Sequence, residues 1–553
     1  MSGALILLTI LLPLFLATLS SLRTAPWLVV SAVLPALLLA IFAPLPTTLR
    51  LDWLLLGTHL GLDETGRLFL AAAALVWLLT ALHAAGSRPD STYGPRFRVF
   101  FQLAMSGNFI LILAQDMMTF YLGFTLMGLA AYGLVAHRAS LTARRTGRLY
   151  LGWTIFGELM LFAALVQLAA QTGATDFVRL QAIHPPQLAV ALLVLGFGIK
   201  LALPGLHLWL PPTYAAAPAA GVAVLSGPMI SAGFLGWLRF LPAGHDSLVA
   251  WGEFLIGLGL FGVIFGVSVG LMQLKPKLVL GYSSISKMGL VSTGFGIALA
   301  YPTSAPLLLT ALVLFVLHHQ LVKSALFLGV DLVERHKAGV WGMSGIILLG
   351  LALVGAPFTG GALAKAKLAS ALPEAYAWFS GWMALAAIAT TLLMGRLVFL
   401  LLTQHRKRPT TGRPVWAAWT CMLGLILLIP FVMGEPHQLF TGSLSLILGV
   451  TTVWLVWFYR PKPLARLVGL VPPADILHPV RRLMAVVWLH SAVPLGKFVK
   501  TATAQMTKGA WMHRLRESKP AARFRSSKQR NDSNWVGSLW IGLAGLICMV
   551  IMI

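Results

Sequence analysis

Six ionisable residues stand inside stretches that otherwise read as hydrocarbon: Glu158 in TIFGELMLFAALV, Lys200 in LGFGIKLALPGLHLWLPP, His318, His319 and Lys323 in LFVLHHQLVKSALFLG, and Lys365 in VGAPFTGGALAKAKL. A charge in the lipid core costs at least ~2.5–3.5 kcal/mol on insertion scales, so such groups face a protein interior or a water-filled path and mark ion or proton routes. Their chemistry suits that use. Histidine titrates near neutral pH and passes a proton between its two ring nitrogens, a desolvated lysine switches between neutral and charged forms, and a buried acid can take and release a proton. His319 and Lys323, four residues apart, share a helical face.

Lys200 and Lys365 each lie in a segment interrupted by glycine and proline: Gly196, Gly198, Pro204 and Gly205 around the first, Gly355, Pro357, Gly360 and Gly361 before the second. Proline removes a helical hydrogen bond one turn earlier, and a broken helix is tolerated at membrane depth where it lines a cavity. Two lysine-bearing broken helices in separate parts of the chain are the pattern of inverted repeats that each build half of an ion path. Glu253 in WGEFLIGLG and Lys287 in YSSISKMGLVS sit near expected span ends and are secondary candidates, with interface anchoring as the competing role. No dinucleotide fingerprint, P-loop or nucleophile triad is present, and Cys421 and Cys548 lie apart without a CxxC partner. We therefore expect no catalytic site, no redox cofactor and no metal centre.

The elements that must position these groups are membrane helices. The 553-residue chain is 58% hydrophobic and only 10% charged, against roughly 25% charged in soluble domains. Stretches such as 4–22, 68–85, 188–206, 254–272 and 439–458 are long enough to cross the bilayer, which takes about 20 apolar residues. The expected fold is all-α and polytopic, with about 14–16 transmembrane helices. Residues 1–97 form N-terminal transmembrane helices, 98–403 a core of two inverted repeats, 404–459 additional helices, 460–533 a basic amphipathic surface segment broken by prolines, and 534–553 a last span. The N-terminal apolar run lacks a basic leader and reads as a retained helix. The net charge of +25 follows the membrane rather than nucleic acid. With the N-terminus outside, the inner loops collect Arg23, Arg88, Arg96, Arg98, Arg138, Arg144, Arg145, Arg148, Lys275, Lys277, Arg335, Lys337, Arg406, Lys407, Arg408 and Arg413. The positive-inside rule then puts both termini on the periplasmic side of a bacterial inner membrane.

On these residues the chain resembles the antiporter-like, proton-translocating subunits of respiratory complex I, membrane-bound hydrogenases, formate hydrogenlyases and Mrp-type cation/proton antiporters. The resemblance covers roughly residues 100 to 400. It rests on Lys200 with Pro204, His207 and Trp209 to Pro211; on Ala217, Pro218, Ser226 and Gly227; on Lys277, Gly281, Tyr282 and Ser283; on His319 and Lys323; and on Gly355, Pro357, Gly361 and Lys365. It implies a hydrophilic axis in which Lys200 is the central lysine of the first half, His319 and Lys323 the connection, and Lys365 the terminal exchange residue. His207 and Lys277 join the secondary candidates through their motifs. The tail from Arg460 resembles the surface helix and closing span of the longer members. Two positions depart from the pattern: Phe124 and Thr125 stand where the family has Trp-Glu, and Ala366 stands where an acid usually follows the terminal lysine.

The resemblance implies a proton- or sodium-conducting subunit that works beside other membrane subunits in lipid. Two further readings are a membrane subunit powering a partner enzyme of inorganic-carbon uptake, and a scaffold whose relay has decayed.

Overall fold

The computed structural model describes residues 2–21, 27–55, 57–87, 94–137, 140–173, 175–335, 339–403, 413–433 and 442–459. The basic segment 460–533, the span 534–553, Cys548, and the loop residues Arg23, Arg88, Arg138, Lys337, Arg406, Lys407 and Arg408 lie outside them. The fold is that of an all-α polytopic membrane protein. In chain order the helices are α1 (Ser2–Ser21), α2 (Leu28–Ser31), α3 (Leu34–Phe42), α4 (Glu64–Gly86), α5 (Pro95–Leu113), α6 (Met117–Ala136), α7 (Leu141–Thr172), α8 (Phe177–Gln181), α9 (Gln187–Leu201) and α10 (Leu210–Ala216). They continue with α11 (Ala219–Ser226), α12 (Pro228–Phe240), α13 (Val249–Leu271), α14 (Pro276–Ala300), α15 (Ala305–Arg335), α16 (Gly339–Val354), α17 (Gly360–Ser370), α18 (Trp378–Thr403), α19 (Arg413–Met433) and α20 (Ser443–Tyr459). Among the described residues ten segments are long and apolar enough to cross a membrane, with four shorter apolar helices beside them. A helix is the form that satisfies every backbone polar group within lipid.

One departure from an all-helical chain is a hairpin, β1 (Thr47–Leu51) and β2 (Thr58–Leu62), paired antiparallel with Thr47 opposite Leu62. It marks one end of the helices. Leu60 bridges to Ala114, Asp116 bridges to Asp176, and Asp63 caps α4 through the Gly66 amide at 2.6 Å. Asp63 also holds Arg239, at the end of α12, at 2.5 and 2.9 Å.

Glycine sets how near the central helices come. Along α13, Gly252 and Gly259 meet Gly296 and Gly289 of α14 so closely that a Cβ on either α13 residue would fall 2.5 Å from a carbonyl oxygen across the interface. Small residues at such spacing let membrane helices pack backbone to backbone. That contact seats α14 within the helices α13, α15 and α18, which decides where Lys287 sits.

Candidate functional site

Three breaks interrupt helices that would otherwise cross in one piece. The expected span 188–206 stops at Leu201, where Ala202 takes a left-handed conformation with φ 55°. The chain turns through Pro204 before α10, and the Ile199 carbonyl is taken by the Trp209 indole N–H at 2.7 Å. The second break separates α11 from α12 at Gly227. A Cβ there would fall 2.2 Å from the Ser324 hydroxyl. The third lies between α16 and α17, where Gly355 has φ 82° and Gly361 packs so tightly that a Cβ would come within 2.1 Å of the Ala352 carbonyl oxygen.

Lys200 lies in the last turn of α9, buried. Its ammonium donates to the Tyr150 hydroxyl at 3.3 Å, and that hydroxyl donates to the Gly128 carbonyl at 3.1 Å. Aromatic faces complete the cradle: the Phe124 and Tyr150 rings each lie 5.7 Å from Nζ, a cation–π distance. Glu158 lies two turns along α7 from Tyr150. The Thr125 hydroxyl donates to one of its oxygens at 2.5 Å, while Oε1 is buried with no hydrogen-bond partner among the described residues. Gly128 leaves room for that carboxylate, since a Cβ there would stand 3.1 Å from Oε1. Thr125, the position lacking the expected acid, therefore binds an acid supplied by the next helix. Lys200 acts on Glu158 electrostatically but hydrogen-bonds Tyr150.

From Lys200 the polar residues lead across α12. Gly233 packs on the lysine stem, and two residues earlier Ser231 donates to Gln320 at 2.6 Å. Gln320 is buried between His319 and Lys323 in sequence. The Lys323 ammonium donates to the Leu280 carbonyl at 2.8 Å and to the Ser283 hydroxyl. Both ring nitrogens of buried His319 lack a hydrogen-bond partner among the described residues. His318 reaches into the third break, where Nε2 donates to the Ala352 carbonyl at 3.0 Å. This leaves Nδ1 facing Gly360, whose missing Cβ would be 2.8 Å away. Lys365 comes back from α17 to the Val354 carbonyl at the broken end of α16. That end carries the negative pole of a helix dipole, which suits an ammonium.

The secondary candidates separate. Lys287 is not at a span end: it lies mid-way along α14, 1% exposed, its Nζ 6.0 Å from the Phe315 ring and without a hydrogen-bond partner among the described residues. It shares its electrostatic surroundings with Lys323 and Lys365. The flanking Ser283, Ser284, Ser286, Ser292 and Thr293 mimic a polar helix end, but α14 is enclosed along its whole length. Glu253 is exposed in the second turn of α13, and Lys367 is exposed on α17. His207 is buried against the Phe265 ring at 4.8 Å. Lys277 donates to the Ala217 carbonyl between α10 and α11 at 2.9 Å. Sequence reading missed Tyr150, Ser231 and Gln320. Tyr150 stands eight residues before Glu158, on nearly the same helical face, and that spacing was the available signal.

Helix breaks beside inward-turned lysines, with histidine, serine and glutamine buried between them, are the distinguishing features of this membrane domain. A family of transmembrane domains described as NADH:quinone oxidoreductase/Mrp antiporter matches residues 114–394, and the chain belongs to that family. NADH-ubiquinone oxidoreductase chain 4 of Tetraodon nigroviridis is 31% identical over 264 residues, 45% of this chain and 56% of the relative. Hydrogenase-4 component B of Escherichia coli strain K12 is 28% identical over 287 residues, 48% of this chain and 43% of the relative. The chain thus spans about half the length of these relatives. Among solved structures, a chain of the Mrp complex from Dietzia sp. DQ12-45-1b superposes with a TM-score of 0.70 at 19% identity, covering 99% of this chain and 63% of that one. A chain of the membrane-bound sulfane sulfur reductase, an archaeal respiratory membrane complex, gives 0.68 at 18% identity, covering 82% of this chain and 99% of that one. These two likenesses concern the fold.

Proposed function

We propose that this chain is a proton- or cation-conducting membrane subunit of a larger ion-translocating assembly. Ions move along Glu158, Lys200, His318, His319, Lys323 and Lys365, with Lys287 and the Ser231–Gln320 bridge as intermediate groups. The observation that carries the reading is the run of buried Lys and His side chains held at helix breaks, where apolar packing would be cheaper. Tyr150 and Gln320 are hydrogen-bonded groups able to pass a proton or orient water between the lysines. The chain moves ions and leaves any redox or hydrolytic step to partner subunits.

In this reading the hairpin end faces the periplasm of a bacterial inner membrane. The opposite end, with Arg96 and Arg98 at the start of α5, Arg144, Arg145 and Arg148 in the first turns of α7, and Lys275 and Lys277 at the start of α14, faces the cytoplasm. Neighbouring membrane subunits and lipid cover the exposed helix faces.

The test is proton flux in vesicles holding the chain with its native partners. The K200A/K323A double variant is expected to lose about a hundredfold of the flux, the scale on which positioned proton-transfer groups act. Wild-type rates in that variant would sink the reading.

A further inference from the structure

Three buried carboxylates occur among the described residues: Asp116, Glu158 and Asp331. Asp116 is committed to structure, accepting the His59 amide at 2.8 Å and capping α6 through the Thr119 amide at 2.8 Å. Glu158 belongs to the Lys200 site. Asp331, the third, faces His83 across 3.5 Å, the two side chains 6% and 0% exposed.

The place of this pair is informative. His83 sits three residues before the end of α4 and Asp331 four before the end of α15. Both helices start at the hairpin end, so the pair lies near the opposite surface. Asp331 also shares α15 with His319 and Lys323; eight residues, about 12 Å along the helix axis, separate it from Lys323. Neither ring nitrogen of His83 has a hydrogen bond among the described residues, and buried ionisable groups in a membrane domain are functional candidates by default. A histidine and a carboxylate in contact hold and release a proton as a unit.

We propose that His83 and Asp331 form the proton-exchange site through which the basic residues of the second half communicate with the membrane surface opposite the hairpin. The site takes a proton from that surface and passes it inward along α15 toward Lys323, by way of water since Phe327 lies between. Each half of the domain then has its own buried acid, Glu158 serving Lys200 and Asp331 serving Lys323, and the acid absent at Ala366 is supplied from the other end of α15. The proposal rests on the conducting function above.

The experiment uses the chain with its native membrane partners in vesicles. An H83Q/D331N variant keeps a neutral, hydrogen-bonding pair of nearly the same shape, so thermal unfolding is expected to stay close to wild type while proton flux falls about tenfold or more. Wild-type flux in that variant overturns the proposal. Should the double variant fail to fold, D331E against D331N decides: D331E keeping more than half the flux that D331N loses supports an exchanging acid, whereas equal loss in both marks a packing role and overturns it. Full flux in H83Q/D331N with loss in K200A/K323A removes this proposal alone; full flux in both removes the conducting function as well.

Discussion

The two halves of the path hold their lysines in different ways. Around Lys200 the partners are a phenol, two aromatic faces and a nearby carboxylate, with Thr125 on α6 holding Glu158 of α7. Around Lys323 and Lys365 they are neutral oxygens: the Leu280 carbonyl and Ser283 hydroxyl for one, the Val354 carbonyl of a broken helix end for the other. The first half answers a buried cation with an acid, the second with neutral oxygens, from the body of α14 for Lys323 and from a broken helix end for Lys365. A carboxylate gives a pair that exchanges one proton internally. Carbonyls cannot take up a proton, so in the proposed path the exchange partner of Lys323 has to be another titratable side chain, the part assigned above to Asp331.

The largest break in that contrast is expected from E158Q, which removes the first half's acid and leaves Thr125 hydrogen-bonded to an amide. Proton flux should fall about tenfold or more, and adding T125E should restore at least part of it by returning an acid to α6. Flux in E158Q/T125E no higher than in E158Q would show that the acid's place on α7 is essential. A smaller effect is expected in the second half from G355A. Its φ of 82° and the 3.0 Å approach of a Cβ to the Lys365 ammonium predict a loss of about 1–3 kcal/mol, read as a lowered midpoint of thermal unfolding, together with reduced flux as Lys365 leaves the Val354 carbonyl.

The smallest effect lies outside both halves. Burial pushes the Asp63 carboxyl up, but the hydrogen bonds and charge of Arg239 and the Gly66 amide outweigh it and hold the group below the usual carboxylate range. Its contribution is therefore present above the pKa of the unfolded chain and is lost as pH falls through the lower, folded value. Asp63 is about a third exposed, so solvent screening keeps the ion-pair contribution to under about 1 kcal/mol. D63N should lower the unfolding midpoint slightly at neutral pH and flatten its decline toward acid.

Much of the fold and part of the site were legible in the residues themselves. Uninterrupted apolar length announces membrane helices, and glycine and proline beside Lys200 and Lys365 announce the breaks, because both signals are local. Lys287 was misplaced because serines around it imitate a helix end, and only the glycine contact of α13 with α14 shows that the segment is enclosed. The His83–Asp331 pair joins residues 248 positions apart, each near the end of its own apolar run, where a polar residue ordinarily reaches water. Their meeting depends on how α4 crosses α15, which no local pattern encodes. The hairpin was missed because β1 and β2 flank a leucine-rich turn whose composition matches the neighbouring helices.

The claim that an acid on α7 works in place of one on α6 is tested most directly by infrared difference spectroscopy. The spectra would be recorded on the chain with its native partners, in vesicles, as a proton gradient is imposed. A carboxyl band that appears with the gradient and vanishes in E158Q, while persisting in D63N, is the predicted result. A difference spectrum unchanged by E158Q would contradict it.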